Sequence, residues 1–146
     1  MKKGYKLVVA YKRKLYSIVA CVEAVELNKT AKDNDFVCTY VKGKETLRPN
    51  GFGPLAVFSN LKSAKEYKPI MEENIKSMFE NTKPKNTGFK DIKLKVKIFK
   101  IQYKESNEKE LYLSFKNQTY IYRKNLEELP MGTKLADSVI LLEEVK

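Results

Sequence analysis

The segment Ile92-Lys-Leu-Lys-Val-Lys-Ile98 alternates an apolar residue with a lysine at every step. An extended backbone sends successive side chains to opposite faces, so this period of two reads as a β-strand with one face in a core and the other charged. At Ile98-Phe99 the phase slips, and Phe99, Ile101 and Tyr103 carry the apolar residues onward. The slip predicts a long, bent strand with a β-bulge that keeps Lys100, Gln102 and Lys104 outward.

The rest of the chain supplies partners for such a strand. Lys6–Ala10 reads as a short strand, Lys12-Arg13-Lys14 as a turn, and Leu15–Val22 as a second strand, an opening hairpin. A rival helical reading puts Leu15, Ile18, Val19, Val22 and Val25 on one face. Phe36–Val41 and Leu55–Phe58 are further strands, with Gly43–Pro54 an irregular connection. Ser59-Asn60 offers N-cap side chains to a helix over about 60–67, and Pro69 restarts a second over about 70–80, with Glu72 and Glu73 near its start and Met71, Ile75, Met78 and Phe79 on one face. Leu111–Phe115 and Gln118–Tyr122 flank Lys116-Asn117 as a hairpin in which Leu113 faces Tyr120, leaving Tyr112 and Arg123 on the outward side. Pro130-Met-Gly-Thr133 turns into a last strand, Ser138–Leu142. With no repeat or low-complexity linker, the pattern predicts one domain over 1–146 of α+β class: a mainly antiparallel sheet of six to eight strands with one or two helices packed on it.

Charge restricts function more than length does. Twenty-nine Lys and Arg against eighteen Asp and Glu give a formal charge of +11, a field that favours anionic partners. Arginine occurs only at Arg13, Arg48 and Arg123. Lysine attracts phosphate as a point charge, whereas arginine forks read bases, so sequence-specific groove readout is disfavoured. The bland alternative is that lysine richness serves solubility. Ile18–Val22, the longest purely apolar run, is too short to cross a bilayer, and no hydrophobic signal core follows the basic start. The expectation is a cytoplasmic protein that does not engage membranes, with self-association left open.

The chain has no histidine, which removes the commonest general base and the commonest transition-metal ligand. Cys21 and Cys38 lie in strand-like apolar runs that suit buried thiols. Asp33-Asn-Asp35 lacks the glutamate that completes a calcium loop and reads as a solvated turn. Asp91-Ile-Lys93 has the acid-x-lysine spelling of metal-dependent nucleases, but no paired aspartate precedes it on a strand. These readings predict no catalytic residue, no metal and no cofactor.

What remains is a lysine row, Lys93, Lys95 and Lys97, extended by Lys100 and interleaved with Tyr112 and Arg123 of the neighbouring hairpin. Cations beside aromatics on one sheet face hold single strands and nucleotides, stacking contributing about 1–3 kcal/mol per base. The competing reading is a solvated sheet face, or an edge strand protected by lysine against unwanted pairing.

Gly-Pro-Leu-Ala-Val-Phe-Ser-Asn-Leu-Lys-Ser-Ala-Lys-Glu-Tyr from Gly53 to Tyr67, and Pro-Met-Gly-Thr-Lys-Leu-Ala-Asp-Ser-Val-Ile-Leu-Leu-Glu-Glu-Val from Pro130 to Val145, resemble segments of small phage and mobile-element proteins. The likeness spans about a third of the chain, and its matched residues are structural. It implies a virus-encoded protein acting without catalysis. Such a protein would engage RNA, DNA or a nucleotide messenger of host defence, or, as the alternative, inhibit a host defence nuclease complex in the manner of an anti-CRISPR protein.

Overall fold

The computed structural model describes residues 1–11, 13–17, 39–48, 53–81, 95–114 and 120–146. Cys21, Cys38, the Asp33–Asp35 loop, Asp91 and Lys93 lie outside the described residues, as does the choice between strand and helix after Ser17. The described elements are β1 (Lys2–Tyr11), β2 (Lys14–Tyr16), β3 (Thr39–Tyr40), β4 (Glu45–Leu47), β5 (Leu55–Phe58), α1 (Leu61–Asn81), β6 (Lys95–Glu105), β7 (Glu110–Ser114), β8 (Tyr120–Asn125), a 3-10 turn (Leu126–Glu128) and β9 (Thr133–Val145). Every strand pair is antiparallel. The architecture is therefore α+β, as the periodicities predict.

The main sheet curls until its pairing closes. β1 pairs with β6 along Lys2–Ala10, β6 with β9, β9 with β5, and β5 returns to β1 through Tyr5 and Phe58. Its interior holds Val8, Tyr40, Leu55, Val57, Phe99, Ile101, Tyr103, Val139 and Leu141. Gly4 allows the closure, because a Cβ there would stand 2.6 Å from the Phe58 carbonyl oxygen and 2.9 Å from the Tyr103 ring. The ammonium of the buried Lys6 donates to the Ala56 carbonyl and lies 5.8 Å from the centre of the Tyr40 ring. A second core on the outer face joins Leu7, Val9, Phe58, Val96 and Ile98 to Ala64 and Ile75 of α1.

These two cores overturn the expected bulge in the lysine strand. The β1–β6 register runs unbroken from Lys2↔Tyr103 to Ala10↔Lys95. The irregularities belong to β9, which advances from Glu144 to Leu141 while β6 moves only from Phe99 to Ile101. Apolar residues change phase because the strand is covered on different faces at its two ends: α1 covers Val96 and Ile98, and the sheet interior covers Phe99, Ile101 and Tyr103.

The helix also differs from the two-helix reading. α1 runs through Pro69 without a break. A proline inside a helix costs about 3 kcal/mol through a lost hydrogen bond and a clash with the preceding turn. Here Pro69 lies on the exposed side, while Leu61, Ala64, Tyr67, Met71 and Ile75 continue one packed stripe across it. The Phe58 and Tyr67 rings lie 5.9 Å apart. Asn60 caps the helix as expected, accepting the Ser63 N–H at 2.8 Å. Glu72 and Glu73 are consequently exposed residues within the helix and do not begin one.

Three smaller corrections follow. β4 forms within the expected connection Gly43–Pro54 and pairs with β9. The last strand spans Thr133–Val145, well beyond Ser138–Leu142. In the ribbon β7–β8, Leu113 stands opposite Tyr122 and Tyr120 opposite Ser114, because the register shifts after Leu113.

Candidate anion-binding groove

β9 stops at Val145, opposite Ile98, so the β9-facing edge of Lys95–Lys97 has no strand partner among the described residues. α1 passes this open edge, and a groove of about 460 Å³ lies between them. Val96, Ile98 and Val145 line its α1 side, the first two almost fully buried and Val145 half-buried. Lys68 of α1, Lys95 and Lys97 of β6, and Lys146 after β9 line it together with one carboxylate, Glu144. Lys68 is carried at the level of the groove because Tyr67 beside it is packed against Phe58.

Among the described residues the side chains lining the groove are four lysines and one glutamate, a positive balance, and the groove is open enough for an anion to enter. The Lys97 Nζ lies 3.2 Å from Glu144 Oε1, with both side chains about a quarter exposed (27% and 28%). Lys95 and Lys146 are exposed and Lys68 is half-buried. Among the described residues none of these three has a carboxylate within ion-pair distance.

The residues expected to form one lysine face are divided by the regular register. Lys95 and Lys97 stand opposite Ala10 and Val8, whereas Lys100 stands opposite Tyr5 on the other face. Lys100 pairs with Glu143 at 3.3 Å, in an exposed contact. Consecutive glutamates, Glu143 and Glu144, thus serve lysines on opposite faces of β6. Arg123 lies on β8 opposite Tyr112, with its side chain outside the described residues.

Tyr112 is not on an open aromatic platform. Its ring fills the space beside Gly53, where a Cβ would come within 2.6 Å of it, and the Gly53 N–H donates to the Tyr112 carbonyl at 2.8 Å. The Tyr112 hydroxyl donates to Glu108 at 3.1 Å, and Glu108 also receives the Arg48 guanidinium. These contacts fasten the β7–β8 ribbon to the segment before β5. Structure therefore brings together Lys95 and Lys97 from the expected set and adds Lys68, Lys146 and Glu144, none of which the alternation singles out. The run Glu143-Glu144 near the end of β9 is the one sequence signal that counter-charges stand beside these lysines.

The chain matches no protein-family model, no curated protein and no solved structure. Among the described residues no helix is long and apolar enough to cross a membrane.

Proposed function

We propose that this chain acts by binding, without catalysis, and that it holds a compact phosphate-bearing ligand of nucleotide size in the groove between α1 and the open edge of β6. The observation that carries this reading is that Lys68, Lys95, Lys97 and Lys146, from three parts of the chain, line one groove at the open edge of β6, Lys68 on the α1 side and Lys95 and Lys97 on the opposite face, with one acidic side chain there among the described residues. Small-molecule sites occupy about 300–1,000 Å³ and combine apolar walls with a few charged groups, and this groove is within that range. The half-buried Val145 offers a base an apolar contact, and the lysines suit its phosphates.

A polynucleotide lying along β6 has less support. Lys100 and Lys104 share a face that Lys95 and Lys97 do not, and Glu143 and Glu144 neutralise a lysine on each side. A nucleotide messenger, sequestered from the host machinery that reads it, fits both the groove and the viral setting suggested by the two resembling segments.

Thermal unfolding with ATP or tripolyphosphate tests the proposal. A ligand at a hundred times its dissociation constant stabilises the native state by about 2.7 kcal/mol, and the Lys68→Glu/Lys95→Glu variant should lose this gain while keeping its unliganded midpoint. Unchanged stabilisation in the variant, or none in the parent at millimolar ligand, contradicts the reading. A single-stranded polynucleotide whose affinity collapses with salt, by about three to five decades between 50 and 200 mM, would replace it with a nucleic-acid surface.

A further inference from the structure

Resting on the groove reading above, we infer that Glu144 makes the groove select ligands with two or more linked phosphates and discriminate against single phosphates. Lys97 already holds an internal anion, Glu144 Oε1 at 3.2 Å. A lone phosphate arriving at Lys97 exchanges one anion for another and gains little. A lone phosphate at Lys95, two residues away on the same face of β6, leaves the carboxylate in place and meets its repulsion.

Linked phosphates escape this choice. One phosphate held at Lys95, which shares the Lys97 face of β6 and has no ion pair among the described residues, raises the local concentration of the next beside Lys97, where it displaces Glu144 as an intramolecular step. The released carboxylate, already 28% exposed and next to the end of β9, turns into water. Glu144 is thereby a specificity-determining residue that does not need to touch the bound ligand.

The test is calorimetric titration of the intact chain with orthophosphate, pyrophosphate and tripolyphosphate at constant ionic strength, in the parent and in Glu144→Gln. The parent should bind tripolyphosphate about a hundredfold more tightly than orthophosphate, and Glu144→Gln should strengthen orthophosphate about tenfold and narrow that ratio. Glu143→Gln, which removes the same charge on the opposite face, should leave the ratio unchanged, and Glu144→Ala should behave as Glu144→Gln does. An unaltered ratio in both Glu144 variants, with tripolyphosphate still bound, overturns the inference and spares the groove. A parent that binds none of the three ligands overturns both.

Discussion

From Phe99 to Tyr103, β6 runs between β1 and β9 and directs Phe99, Ile101 and Tyr103 into the closed interior. From Lys95 to Lys97 it keeps β1 on one side and has no β9 partner on the other, and Val96 and Ile98 turn towards α1. One strand therefore does two kinds of work. Its second half is surrounded and contributes stability, while its first half leaves apolar residues and ammonium groups beside an opening. The difference shows that a lysine-apolar alternation has no single meaning: the coverage on each side of the strand decides whether the lysines are a solvated face or the lining of a site.

The largest effect should come from breaking the surrounded half. Ile101→Ala, at a residue only 1% exposed, should cost about 2–5 kcal/mol in denaturant unfolding. Ile98→Ala should fall at or below the low end of that range, because the groove beside it allows the site to relax. Equal losses would show that the two halves are packed alike and would break the comparison.

Charge reversal sharpens it on the functional side. Lys95→Glu should abolish tripolyphosphate binding while changing stability by less than about 0.5 kcal/mol, as exposed substitutions usually do. Lys100→Glu, five residues along the same strand but on the opposite face, should retain binding within about threefold, the scale of a screened surface charge. Titration calorimetry on the two variants separates a groove from a general basic field.

The smallest effect lies at the far end of the barrel, where the Lys2 ammonium donates to Glu105 at 2.8 Å. That hydrogen bond holds the Glu105 carboxyl below its ordinary value of 4.5 and raises Lys2 above 10.5. A lowered carboxylate adds stability at pH above 4.5 and loses it as pH falls through the depressed value. A raised lysine adds stability below 10.5 and loses it as pH climbs through the raised value. Lys2→Met should therefore flatten the stability profile slightly at both extremes, visible as urea midpoints that change less with pH than those of the parent.

Much of the scaffold was legible because it follows local rules. The strand Leu55–Phe58, the Asn60 cap, the hairpin around Arg13, and the Pro130–Thr133 turn each rest on neighbours in sequence. What could not be read were the consequences of closure. The sequence around Phe99 presents an apolar phase change that a bulge explains as well as two-sided coverage does, and only β9 wrapping back to β6 separates them. Pro69 looked like a stop because its local cost is real, yet the stripe from Leu61 to Ile75 on the sheet outweighs it. For the site, the alternation found Lys95 and Lys97 but could not place Lys68 beside them or remove Tyr112, whose ring is committed to Gly53. These contacts join residues far apart in the chain, and no local period encodes them.

The most direct measurement is a two-dimensional amide NMR titration of the isotope-labelled chain with tripolyphosphate. The expected result is saturable shifts confined to Lys68 and its neighbours in α1, to Lys95–Ile98, and to Glu144–Lys146, with Lys100, Lys104 and the β7–β8 ribbon undisturbed. Shifts spread over lysines on every face, or centred on the ribbon, would contradict a groove at the open edge of β6.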